Sequence, residues 1–201
     1  MSSLRNHCFV YILLLASATA SLASDFASDT FVFGADARWM HIDQQREFFV
    51  EISDQVSNGC WTNSEAVKNS VELELTRSGY LLSDKSKLNS LDVYIKSVGF
   101  GVNERTCAVS YNLSVSGPYF TRYVSGNHRI EALNYSPFFT GRGITTQPKG
   151  DIDQKLRETF VNLIQEFLVE IPRQQKKFLQ SAASKAKEED ARLYWSKKAG
   201  Q

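Results

Sequence analysis

Side chains that could act as catalytic bases or metal ligands are few in this chain and far apart in sequence. Beyond the first 23 residues there are two histidines, His41 and His128, and neither has a partner at zinc-ligand spacing. The sequence also lacks a Gly-x-Ser-x-Gly elbow, a P-loop and a dinucleotide-binding glycine motif. We therefore expect both histidines to be surface or loop residues, with no catalytic residue, metal or cofactor.

Two further groups offer weaker signals for chemistry. Asp151 and Asp153 are close enough in sequence to suggest a carboxylate-dependent hydrolase. They also lie at the start of a strongly predicted helix, where acidic side chains favour the positive N-terminal end, and this structural role is preferred. The Gly141-Arg142-Gly143 segment could surround an anion with backbone N–H groups and one cation, although a flexible loop is the preferred interpretation.

Aromatic residues are dense between positions 119 and 139. They are Tyr119, Phe120, Tyr123, Tyr135, Phe138 and Phe139. Packing in a core would account for them, and a hydrophobic groove for a ligand or peptide is the alternative. Together with Arg142 they form the predicted partner or ligand surface.

The N-terminal residues have the order of a secretory signal peptide. Arg5 precedes an apolar run that is too short to span a bilayer, and small residues lead up to a predicted cleavage after Ala23. Export would leave Cys60 and Cys107 as the thiols in an oxidising compartment, so we predict a disulfide between them. The predicted location is secreted or periplasmic.

Composition limits the class of protein. The chain has 201 residues, of which 42% are hydrophobic, and a formal net charge of +1. A net charge so close to zero argues against a nucleic-acid-binding protein, which needs an excess of basic residues. No apolar stretch beyond the signal reaches the length of a transmembrane helix, so we predict no integral membrane span.

Periodicity predicts the elements that must position these residues. Apolar spacing predicts a helix from about Asp43 to Val56 and a second from Thr62 to Ser78, started by a Thr62–Glu65 capping box. Strict alternation of apolar residues with polar or small ones predicts a β-hairpin with strands over 91–101 and 106–116. Gly117-Pro118 should end that strand, and further strands are expected over 119–124 and 130–133, with a short one at 31–33.

The C-terminal part is predicted to be helical. Residues 136–150 are rich in glycine and proline and predict a loop. An amphipathic stripe then predicts a helix from Ile152 to Ile171, which Pro172 should end. The expected domains are a signal peptide at 1–23, one α+β domain at 24–172 and a charged helical tail at 173–201.

This element order resembles small bacterial envelope domains. They include the N-terminal domain of the Tol-system β-propeller protein and several outer-membrane assembly lipoproteins, and the resemblance covers roughly residues 60–171, including the Leu75–Tyr80 helix ending. It implies a binding or assembly module. We expect an α+β fold, in which two or three helices cover one face of a small antiparallel sheet.

Function is predicted only at the level of class. The leading hypothesis is a non-catalytic module that binds another envelope or extracellular protein through a sheet edge, the aromatic segment or the C-terminal helix. A carrier of a small apolar ligand and a carboxylate-dependent hydrolase are the alternatives.

Overall fold

The computed structural model describes residues 35–44, 47–125, 128–186 and 189–200, and for 35–36, 43–44, 121–125 and 128–130 it describes the backbone alone. The predicted signal peptide and the predicted strand at 31–33 lie outside these residues. Within them the fold is α+β, as expected, with helices packed against a five-stranded sheet.

The elements follow one another in this order: a 3₁₀ segment Ala35–Gln44, β1 Glu47–Val56, α1 Ser64–Arg77, β2 Leu81–Leu82, β3 Ser90–Gly101, β4 Thr106–Ser125, β5 His128–Pro148, α2 Ile152–Lys185 and α3 Glu189–Ala199. The strands lie in the order β2-β1-β3-β4-β5. Both neighbours of β1 are parallel to it, whereas β3, β4 and β5 are antiparallel, so the sheet is mixed rather than antiparallel.

The predicted hairpin is confirmed. β3 and β4 pair from Gly101 and Cys107 at the turn to Asp92 and Ser116 at the far end. Alternation selects this structure because one face of both strands is buried under the helices.

The predicted helix from Asp43 to Val56 is wrong. Residues 47–56 form β1, which pairs over its whole length with Ser90 to Gly99 of β3. Phe48, Val50 and Ile52 also alternate with period two, and aromatic and β-branched residues suit a strand. Pairing with β3 resolves an ambiguous pattern in favour of the strand.

The predicted break at Gly117-Pro118 and the predicted loop over 136–150 are also wrong. β4 continues to Ser125, and β5 runs without interruption to Pro148, so the expected third and fourth strands are the ends of one long hairpin. Proline is tolerated because Pro137 lies in an edge strand, beside a bulge opposite Val115 and Ser116.

The glycines of β5 reflect close packing and not a flexible loop. A Cβ atom on Gly141 would come within 2.3 Å of the Leu163 side chain in α2, and one on Gly143 within 2.4 Å of the Tyr111 hydroxyl. Glycine lets the helix and the tyrosine lie directly on the strand.

The helix ends differ in detail from those expected. Asn63, rather than Thr62, caps α1 by accepting a hydrogen bond from the Ala66 N–H, while Gly79 adopts the expected positive φ of 86° after the helix. α2 contains Pro172 and continues to Lys185, so the prediction that proline ends it is wrong. The helix therefore crosses the expected boundary at residue 172.

The core lies between the sheet and the helices. The predicted apolar stripe of α2 is confirmed, with these residues buried: Ile152, Leu156, Phe160, Ile164, Phe167 and Ile171. Phe48 of β1 packs edge to face against Phe167, and Tyr111 of β4 against Phe160. The opposite face of the sheet carries no helix among the described residues.

Candidate docking groove at the edge of the sheet

The predicted disulfide is confirmed. Cys60 and Cys107 are bonded, and both are fully buried. The bond ties the segment before α1 to the start of β4. Its role here is structural, because it lies in the core cluster rather than at a groove.

The predicted aromatic surface is divided between the two faces of the sheet. Phe139 pairs with the buried Val115 and lies on the helix side, with its ring 5.9 Å from that of Phe167. Phe138 is the extra residue of the bulge and is also buried. Core packing therefore accounts for these two rings.

The other members of that set do not join them. Phe120, Tyr135 and Arg142 are exposed and lie on the open face, as their pairing with Leu133, Pro118 and Asn112 shows. Tyr119 is half-buried and points to the helix side, opposite Asn134. The side chain of Tyr123 lies outside the described residues. Phe138 and Phe139 thus pack on the helix side of the sheet, whereas Phe120, Tyr135 and Arg142 lie on the open face.

An open groove of about 940 Å³ lies where Phe138 and Phe139 meet the middle of α2. Its other walls are Trp39, from the 3₁₀ segment, and Val169, which is 70% exposed. Trp39 packs edge to face against Phe138, with 5.7 Å between ring centroids. The groove is apolar at its base, with polar and charged side chains at its rim.

Arg38 stands at one end of this groove. Its Nη1 donates a hydrogen bond of 2.9 Å to Ser136 Oγ, and its guanidinium carbon lies 6.0 Å from the Trp39 ring and 5.7 Å from the Phe138 ring. Its Nε is buried and has no acceptor within the described part of the chain. A buried donor without a partner costs stability, so this group is unusual.

Side chains of α2 at the groove make hydrogen bonds within the helix and to the 3₁₀ segment. Glu170 accepts hydrogen bonds from Arg173 and Gln174 on the same helix. Gln175 donates from Nε2 to the Trp39 carbonyl at 3.1 Å, which joins α2 to the 3₁₀ segment. The Gln175 bond holds the 3₁₀ segment against α2, whereas the Glu170 bonds order side chains within α2.

Sequence reasoning missed Arg38, Trp39 and Val169. Ser136 is 98 residues from Arg38, and Gln175 is 136 residues from Trp39, so no local pattern connects them. A tryptophan beside an arginine outside any predicted element was the only available signal.

Three consecutive residues of β5, Phe138 to Thr140, line the groove, and the strand forms one edge of the sheet. It has 21 residues, and no strand among the described residues pairs with its outer edge. A strand of this length with unpaired N–H and C=O groups is a template for an added strand unless something covers it.

No family model and no curated protein matches this chain. The interpretation of the groove therefore rests on its own geometry. Among the described residues no group of three or more histidine, cysteine or acidic side chains could hold a metal. None of the described helices is long and apolar enough to cross a membrane.

The residues considered for hydrolysis lie elsewhere. Asp153, in the first turn of α2, accepts hydrogen bonds from both the backbone N–H and the hydroxyl of Thr62. Asp151 is the N-cap residue of α2 and makes no side-chain capping bond. Asp153 therefore joins α2 to the chain before α1, which explains it without catalysis.

A second group of polar residues surrounds Asp92 on the open face. The Asp92 side chain is 2% exposed and accepts hydrogen bonds from the hydroxyls of Ser86, at 2.7 Å, and Tyr135, at 2.6 Å. Ser90 and Tyr94 donate to it at 3.2 and 3.3 Å. Burial, followed by the nearby Asp92 charge, raises the pKa of Tyr94, and burial with the Asp92 hydrogen bond raises that of Tyr135.

Proposed function

We propose that this protein is an exported, non-catalytic binding module that takes up an extended segment of another protein along the outer edge of β5. The observation that carries the proposal is the 21-residue edge strand beside the groove. A segment paired with β5 would bond its backbone groups to the strand and place alternate side chains over the groove.

The groove supports this mode because it offers apolar contact area next to the free edge. Trp39, Phe139 and Val169 are on its walls. Aromatic side chains of this kind provide much of the binding energy at protein interfaces. Gln165 and Gln174, which also line the groove, already donate to Glu74 and Glu170, and their amide oxygens could accept hydrogen bonds from a bound segment.

The cellular location is part of the same proposal. A secreted or periplasmic protein keeps a disulfide such as that between Cys60 and Cys107. The predicted signal peptide and the resemblance to envelope domains favour an envelope or extracellular partner, and both stay predictions.

The test is crosslinking and affinity purification of the protein from its own cells, compared between two matched variants. Val169→Glu places a charge in the groove, and Ile144→Glu places one on the open face, where Ile144 is 77% exposed. We expect a near-stoichiometric partner that is lost with Val169→Glu and kept with Ile144→Glu. Loss with Ile144→Glu alone would move the site to the open face, contrary to the proposal.

A second part of the test asks whether the protein carries a small apolar ligand. Extraction of the purified protein and mass spectrometry of the extract should show no small molecule in stoichiometric amount. A bound apolar molecule, released by Val169→Glu, would contradict protein binding at the groove and favour the carrier function.

A further inference from the structure

Arg38 has fewer partners than a half-buried cation requires. Arginine has five N–H donors, and in Arg38 one nitrogen, Nη1, donates to Ser136. Nε is buried, and the described residues provide neither an acceptor for it nor a carboxylate within ion-pair distance of the guanidinium. The neighbouring groups are the rings of Trp39 and Phe138, which attract a cation but do not neutralise it.

The other ionised groups at the groove do not complete this site. Glu170 is engaged by Arg173 and Gln174, and the Arg173 side chain is largely exposed. Glu166 also lines the groove but is exposed and forms no ion pair with Arg38. Among the described residues that line the groove, Arg38 is therefore the partly buried cation that has no carboxylate partner.

We infer that Arg38 selects an aspartate or glutamate side chain within the extended segment bound at β5, an inference that rests on the proposed function. A carboxylate there would accept charge-assisted hydrogen bonds from a cation already held by Ser136 and two aromatic rings. Little side-chain ordering would remain to oppose binding.

The geometry of β5 favours an internal acidic residue over a chain terminus. Arg38 bonds to Ser136, and β5 continues on both sides of this position, from His128 to Pro148. A segment paired along the strand passes Arg38 and does not need to end there. The carboxylate at this position therefore belongs to a side chain.

The test uses random peptides displayed on phage and selected on the oxidised protein, followed by synthetic copies of the selected peptides. We expect an acidic residue at one constant position, flanked by residues with high strand propensity. Replacing that acid by its amide, or Arg38→Gln, should weaken binding about tenfold or more, whereas amidation of the peptide C-terminus should have no effect.

Two further variants keep the outcomes separate. Arg38→Lys retains the charge and should keep the preference for an acid, and thermal unfolding of each variant checks that it folds. Peptides that lose binding with Val169→Glu, yet carry no acid and bind Arg38→Gln equally well, would overturn the inference and leave the proposed function standing. A requirement for a free C-terminal carboxylate would also overturn it. Failure to select any groove-dependent peptide would count against the proposed function itself.

Discussion

At the level of single residues, Asp92 is a strongly constrained ionisable side chain. Its carboxylate is buried and accepts hydrogen bonds from four hydroxyl groups, two on serines and two on tyrosines. Ser86 precedes β3 and Tyr135 belongs to β5, so the cluster connects the edge strand β5 to the central strand β3. We infer that this cluster holds the part of the β4–β5 hairpin beyond Ser116 in position.

Asp92→Asn should lower the free energy of unfolding by about 2–3 kcal/mol. The amide has the same shape, but its NH₂ group would face hydroxyl donors that need an acceptor, and hydrogen bonds to a charged group are the stronger ones. Urea unfolding measures the change. Asp84→Asn, at an exposed position, is the control and should shift stability by less than about 0.5 kcal/mol. Equal effects of both substitutions would contradict the role of the cluster.

Tyr135 should make stability fall at alkaline pH. Its pKa is raised in the folded protein, so the unfolded chain releases the phenolic proton first. The stabilisation is complete below the ordinary pKa of about 10 and is lost as the pH rises toward the folded value. We therefore expect the stability difference between the wild type and Tyr135→Phe to shrink above about pH 10, as measured by urea unfolding at several pH values. A difference that stays constant would contradict this.

At the level of elements, α2 is unusual because it contains Pro172 in its interior. Proline cannot donate a hydrogen bond to the carbonyl of Leu168 and crowds the preceding turn. The helix continues because its buried face and the Gln175 bond to Trp39 hold it on both sides. Tertiary packing here overrides a strong local preference.

Pro172→Ala should raise the free energy of unfolding by about 1–3 kcal/mol, since Pro172 is exposed and alanine restores the missing donor. Thermal and urea unfolding measure it, with Lys176→Ala as a neutral control on the same helix. Destabilisation by Pro172→Ala would mean that a bend at the proline is needed for α2 to reach Trp39.

At the level of the whole molecule, the disulfide closes a long loop around α1, β2 and β3. The two cysteines are 47 positions apart in sequence. In the chain-entropy model a loop of this length contributes about 4 kcal/mol. The double substitution Cys60→Ala and Cys107→Ala should lower the free energy of unfolding by about that amount, as should reduction of the wild-type protein. A loss of less than about 1 kcal/mol in the free energy of unfolding would contradict this, since it would mean that the unfolded chain is already compact without the disulfide.

The C-terminal helices contribute unequally to the fold. α3 buries none of its own residues, whereas the second half of α2 supplies Gln175 to Trp39 and Gln174 to the groove. Deleting 174–201 should therefore lower the thermal midpoint clearly and weaken partner binding. Deleting 187–201 should change both only slightly, and an equal effect of the two deletions would contradict this division.

Local sequence patterns determined the parts of the structure that depend on burial of one face. In β3 and β4 apolar and polar residues alternate with the period of a strand, and the apolar stripe of α2 has the period of a helix. The two cysteines expected to remain after export allowed one disulfide pairing. The pattern in β1 was ambiguous, because Phe48 and Ile52 fit both a helix stripe and a strand face. Only the backbone partners on β3 decided it.

Tertiary structure alone decided the course of β5 and the groove. Glycine and proline in β5 indicate a loop until Leu163 and Tyr111 occupy the space beside the glycines and an edge position accommodates Pro137. The groove joins residues about 100 or more positions apart, such as Arg38 with Ser136. Local periodicity reports which face of an element is buried, but it contains no information on which distant side chains that face will meet.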